Sequence, residues 1–212
     1  MADDIRADKV VLRESVKSSS DRLLSQNYIA RNGDCYNFLT DEEQDIQREI
    51  FVNTNVDTAS IVGSIAHKIF GDIYQTNKYR YGKYDFPFDK MVDGTTVGSV
   101  TGGMRLRILT VATDVTEKSG MRLMAESKGN EAIAVLSDTP YYESLENAMK
   151  IRKYVKQHNV TERPKSVQNI LSNYIKDANK YEDSATDDLK KAIENADLYV
   201  DGEHIEIKGG DA

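Results

Sequence analysis

The chain of 212 residues is long enough to bury a core, as one large domain or two small ones. Hydrophobic residues make up 39% and charged ones 30%, with a formal net charge of −7. This balance suits a helix-rich fold with much solvated surface and argues against a protein that grips nucleic-acid phosphates over its whole face.

In chain order, a helix is predicted from about Ile5 to Gln26, with Ser18-Ser19-Ser20 as a point of interruption. Two β runs follow, Tyr28–Arg31 and Cys35–Leu39, around Asn32-Gly33-Asp34, where Asn-Gly supplies the positive φ angles of a tight turn. Helix, strand, turn, strand is the order of a recognition helix and its wing. Too few residues lie upstream for the two further helices of a complete winged-helix module. Residues 1–52 are therefore expected to form a partial winged-helix-like segment. Thr40-Asp41-Glu42-Glu43 matches a capping box and predicts a helix from Asp41 to about Phe51, with Ile46 and Ile50 on its buried face. The acids of that first turn serve the helix dipole, not catalysis. Asp57 is suited to cap a helix from Thr58 to Tyr74, whose Ile61, Val62, Ile65, Ile69 and Ile73 form one apolar stripe.

From Lys78 to Phe88 aromatic and charged residues alternate with period two, as in paired strands turning near Gly82. The glycine-rich stretch Gly94–Gly103 reads as a mobile loop leading into a strand from Met104 to Thr113. Leu106, Ile108 and Thr110 lie on one face of that strand, Arg105, Arg107 and Leu109 on the other. A helix over Thr116–Ser127, with its N-cap at Thr116 and weakened by Gly120, precedes a strand from Ala132 to Leu136. Residues 53–140 thus read as an α/β segment. A helix over Tyr141–Gln157 comes next. The apolar phase from Val167 to Ala196 then marks either one helix, Ser166–Asn195, or two divided at Glu182-Asp183-Ser184. Leu198–Val200, the turn Asp201-Gly202 and His204–Lys208 predict a closing hairpin, so residues 141–212 read as a helical segment with a terminal hairpin. The expected class is α+β: an N-terminal helix plus wing-like β-hairpin, a central α/β part with a small sheet, and long C-terminal helices ending in a β-hairpin.

The sequence carries no complete catalytic or nucleotide-binding signature. No Gly-x-x-x-x-Gly-Lys-Ser/Thr string exists; Gly82-Lys83 is followed by Tyr84, and the Gly94–Gly103 loop precedes a strand rather than a helix. His67, His158 and His204 lack metal-ligand spacing, Cys35 has no second thiol, and no Gly-x-Ser-x-Gly elbow occurs. No catalytic or metal-binding residue and no cofactor is therefore expected in this chain. No apolar run approaches the roughly 20 residues that cross a bilayer, and the start, Met1-Ala2-Asp3-Asp4, has no apolar leader. A cytoplasmic protein without membrane contact is the expectation. The strongest contact candidates are Lys78, Tyr79, Arg80, Tyr81, Lys83, Tyr84 and Lys90, with Arg105 and Arg107 beside them and Arg31 and Asn32 on the wing. Three readings of the aromatic–basic stripe stay open. It is a half-buried hairpin whose aromatics face the core, a protein interface rich in Tyr and Arg, or a nucleic-acid surface that stacks bases and neutralises phosphates.

One resemblance adds context. Tyr36-Asn37-Phe38-Leu39-Thr40-Asp41-Glu42-Glu43-Gln44-Asp45-Ile46-Gln47-Arg48-Glu49-Ile50 resembles a stretch of the large P-loop ATPase of bacteriophage exclusion (BREX) systems, the BrxC/PglY type. Tyr79-Arg80-Tyr81-Gly82 with Tyr84-Asp85-Phe86-Pro87-Phe88, the Tyr141–Tyr154 helix and the hairpin around Asp201-Gly202 are similar to the same family, in the same order. The resemblance covers roughly Leu23 to Lys208. It implies an internal region of a long multidomain protein, downstream of an ATPase core that binds ATP and Mg; no residue here matches that nucleotide-binding motif. It also implies a bacterial, cytoplasmic setting in phage defence, with other domains of the parent protein, other defence-complex subunits and DNA as partners. The leading expectation is a non-catalytic scaffold or interaction region. The alternative is a nucleic-acid-contacting module built on the wing and the stripe.

Overall fold

The structure is a computed structural model that describes residues 9–32, 35–158 and 162–206. The chain forms two compact units, residues 1–55 with 153–173 and residues 56–152 with 174–212.

In the first unit, helix α1 (Lys9–Ser25) runs through Ser18-Ser19-Ser20 without a break. Asn27, at φ 60°, ends it. The Tyr28 N–H bonds the Leu23 carbonyl at 2.9 Å and the Asn27 N–H bonds that of Leu24 at 3.0 Å, a left-handed C-terminal cap. Strands β1 (Ile29–Asn32) and β2 (Cys35–Phe38) pair antiparallel, Ile29 opposite Phe38 and Asn32 opposite Cys35. The predicted turn residues Gly33 and Asp34 lie outside the described residues. The capping box forms as its sequence requires. Glu43 N–H donates to Thr40 Oγ1 at 3.3 Å, and Thr40 N–H donates to Glu43 Oε2 at 2.8 Å. Helix α2 (Asp41–Arg48) then loosens into a π-helical turn, Glu49–Asn53, with Ile46 and Ile50 buried as the periodicity predicts.

The second unit begins with α3 (Thr58–His67), capped by Asp57, whose carboxylate accepts from Ser60 N–H at 2.7 Å. It too continues as a π-helical turn, Lys68–Ile73. Strands β3 (Lys78–Tyr81), β4 (Tyr84–Val92), β5 (Thr95–Val97), β6 (Met104–Leu109), β7 (Glu131–Val135), β8 (Asp197–Val200) and β9 (Glu203–Glu206) form one mixed sheet. Six strands stand in the order β3-β4-β6-β7-β8-β9, and β5 pairs with β4. The pairs β4–β6 and β6–β7 are parallel and the others antiparallel. A 3-10 turn (Val115–Lys118) and α4 (Gly120–Glu126) connect β6 to β7, and α5 (Tyr141–Gln157) and α6 (Lys165–Glu194) connect β7 to β8. Ile61, Ile65 and Ile69 of the stripe pack with Val92, Ile108, Tyr141, Leu145, Leu189 and Ala192 in the main core. Leu109, Leu123, Ile133 and Tyr199 form a second cluster.

The structure departs from the sequence expectations at several places, each with an identifiable physical reason. The stretch Gly94–Gly103 is not all loop. Asp93 and Gly94, at φ 43° and 79°, make the tight turn that folds β5 back on β4. Strand β6 stops at Leu109 rather than Thr113, because Thr110 leaves the ladder. Its N–H and hydroxyl, with the Thr113 hydroxyl, donate to the Asp93 carboxylate. Asp114, not Thr116, caps the turn after it, accepting from Thr116 N–H at 2.8 Å. Helix α6 is undivided at Glu182-Asp183-Ser184; Glu182 holds the Arg152 guanidinium at 2.6 and 2.9 Å, and Ala185 is buried.

Strand β4 has two halves. Tyr84 to Pro87 pair with β3, and Phe88 to Val92 pair with β6. Pro87 sits at the seam and has no N–H to give to either ladder.

Candidate interaction surface

The register of the β3–β4 hairpin sorts its residues by face. Tyr79 stands opposite Phe86 and Tyr81 opposite Tyr84, while Lys78 stands opposite Pro87 and Arg80 opposite Asp85. Cross-strand partners share a face, so one face carries only aromatics and the other carries the charges. The turn works because Gly82 takes φ 59°, the left-handed position that glycine fills in a two-residue hairpin. The aromatic face is open: Tyr79, Tyr81, Tyr84 and Phe86 are 57%, 69%, 59% and 44% exposed. The reading in which these rings form a half-buried core hairpin therefore fails. Further along β4 the same side of the strand is covered, with Phe88 stacked on Tyr74 at 6.2 Å between ring centroids.

The basic candidates are mostly engaged. Lys78 Nζ bonds Asp85 at 2.6 Å and Arg80 lies 3.9 Å from the same carboxylate. Lys83 Nζ sits 5.4 Å over the Tyr84 ring. Arg105 pairs with Glu131 at 3.7 Å. Arg107 pairs with Glu126 and lies 3.3 Å from Glu131, though that second contact is too poorly aligned to count as a hydrogen bond and leaves Arg107 Nε and Glu131 Oε1 unsatisfied. Hydrogen bonds from Arg107 and then Arg122 hold the Glu126 carboxyl below the usual range. Lys90 is buried. Arg31 is exposed on β1 in the first unit, and Asn32 ends that strand. The structure thus gathers Tyr79, Tyr81, Tyr84, Phe86 and Lys83, and leaves Lys90 and Arg107 in other surroundings. Phe86 was visible in the alternation. Its register opposite Tyr79 is what assigns it to the open face.

Among the described residues no group of three or more His, Cys, Asp or Glu side chains is arranged to hold a metal ion. No helix among them is long and apolar enough to cross a membrane.

An α+β unit with six strands in line, and a projecting aromatic hairpin at one end of that line, defines the class of domain. The family model for the fourth domain of the BREX ATP-binding protein BrxC, described as having a six-stranded β-sheet, matches residues 54–212. The chain belongs to that family. The match starts after the Tyr36–Ile50 stretch and takes in the hairpin, the Tyr141–Tyr154 helix and the terminal strands. No solved structure matches the chain.

Proposed function

We infer that this chain is a non-catalytic scaffold and interaction region of a BREX ATPase, and that the β3–β4 hairpin is its contact surface for protein. The open aromatic face carries this reading. Four large rings left in water on a two-stranded ribbon cost solvation that a partner surface would recover, and aromatic residues dominate the energetically decisive parts of protein interfaces. Ion pairing weighs against nucleic acid: Asp85 offsets one of the two charges of Lys78 and Arg80, and Glu131 pairs with Arg105, so part of the cationic charge that phosphates would need is already engaged. The partners are other domains of the parent ATPase and other defence-complex subunits, in a cytoplasmic setting.

The test is Tyr81→Ser with Tyr84→Ser, placed in the full-length parent and assayed by co-purification with each BREX subunit. The expected outcome is an unchanged melt of the isolated chain and an affinity for one subunit about tenfold or more weaker. The alternative, a nucleic-acid module, predicts something else. The isolated chain would bind duplex or single-stranded DNA with a steep salt slope that Arg80→Ala and Lys83→Ala flatten, and that result would replace the protein reading.

A further inference from the structure

A cavity of about 580 Å³ lies in the second unit, between the end of α3 with its π-helical turn, strands β3 and β4, and the stretch from Val97 to Thr101. Its walls include Phe70, Phe88 and Val97. Its titratable lining is His67, Lys78 and Lys90, with no Asp or Glu among the described residues that line it, and Lys78 is paired with Asp85 at 2.6 Å.

Lys90 is the unusual member, at only 7% exposure. Its Nζ donates to Asn77 Oδ1 at 2.7 Å and lies 4.9 Å from the centre of the Phe70 ring. Among the described residues it has no carboxylate partner. An ammonium has three N–H donors, and one amide oxygen with one ring face satisfies them incompletely. Burial alone pushes its pKa down, which is what an uncompensated buried cation does. The neighbouring Asp89 does not compensate it. Asp89 is committed elsewhere, accepting from the backbone N–H and hydroxyl of Thr101 and from Gly102 N–H, and it does not line the cavity. Those bonds hold its carboxyl below the usual range and fix the Thr101–Gly102 backbone beside the cavity. A lysine retained in an apolar-walled cavity without a counter-ion is costly unless a ligand supplies the missing charge.

We propose that this cavity is an oxyanion site, in which Lys90, held by Asn77, binds a phosphate or carboxylate group, with His67 at its wall. The apolar rings around it fit a ligand whose anionic group is carried on a nonpolar body, and the cavity volume lies in the range of small-ligand sites. None of Tyr79, Tyr81, Tyr84 and Phe86 lines the cavity, and neither reading requires the other.

The test titrates the ¹⁵N-labelled chain with inorganic phosphate and with acetate at constant ionic strength, with chloride as the third arm. Saturable shifts are expected at the side-chain amide of Asn77 and the backbone amides of Gly98 and Ser99 for phosphate or acetate but not for chloride. The tighter of the two identifies the oxyanion. In Lys90→Met the same titration is expected to weaken about tenfold or more, while the melting temperature without anion does not fall, since the substitution removes a buried charge. Shifts confined to other surfaces in the wild-type chain, an equal response to chloride, or an unchanged titration in Lys90→Met would each overturn the proposal.

Discussion

The hydroxyl of Tyr141 is fully buried and accepts a hydrogen bond from Val111 N–H at 3.1 Å, just beyond the end of β6. Burial is the main cause that raises its pKa from 10.0 to about 12. The folded value lies above the unfolded one, so the stabilisation is complete below about pH 10 and is lost as pH rises towards 12. Tyr141→Phe strands the Val111 amide and is expected to lower stability by about 1–2 kcal/mol at neutral pH. The same variant should show a shallower alkaline fall, read by chemical denaturation between pH 9 and 11, a window on the order of the shift itself. Tyr154, Tyr181 and Tyr199 are also shifted upward by burial, so part of the fall remains. The neighbouring Asp93 illustrates what a residue-level reading misses. The sequence shows a polar residue before a glycine, but that its carboxylate gathers Thr110 and Thr113 and so ends β6 depends on pairing seventeen and twenty positions away.

At the scale of elements, legibility follows the range of the forces. The capping box at Thr40, the Asp57 cap, the α3 stripe and the full run of α5 were readable because their signals lie within a turn or two of the chain. Strand β5 was hidden. It has three residues inside a glycine-rich stretch, and the Asp93-Gly94 turn that makes it was the available signal. The aromatic–basic stripe was legible as a hairpin but not as an exposed one, because period-two alternation does not say which face is covered. The two halves of β4 should differ in backbone protection. The amides of Tyr79 to Phe86 rest on a two-stranded ribbon, whereas those from Lys90 to Val92 lie between β5 and β6. Hydrogen exchange is expected to be fast before Pro87 and slower by about 100-fold or more after it, given the spread of local opening free energies. Equal protection along the strand would show that the hairpin is tied to the sheet by contacts beyond its own ladder.

At the scale of the whole molecule, the decisive arrangement is the return of the chain end to the sheet. β8 pairs with β7, joining Ile133 to Tyr199 and Val135 to Asp197, and Tyr199 completes the cluster with Leu109, Leu123 and Ile133. Two long helices separate these strands in sequence, so the pairing was invisible to local patterns although each strand was predicted. Such long-range closure makes the terminal hairpin part of the core rather than an appendage. Ending the chain after Asn195 removes β8 and β9, exposes the β7 edge and opens the second cluster. The expected outcome is loss of a cooperative melt and self-association, seen by calorimetry and size-exclusion chromatography. A truncated chain that melts cooperatively as a monomer would show that the parallel strands suffice alone.

Pro87 also bears on how such a domain changes over time. With no amide hydrogen to share, it divides β4 into a tip whose aromatic residues are exposed and a base whose Val92 belongs to the main core. Substitutions in the tip are screened by whatever the tip meets, and substitutions in the base by whether the chain folds. The exposed residues Tyr79, Tyr81, Tyr84 and Phe86 can therefore be re-lettered at little risk to the fold, because the proline insulates inherited architecture from the tip.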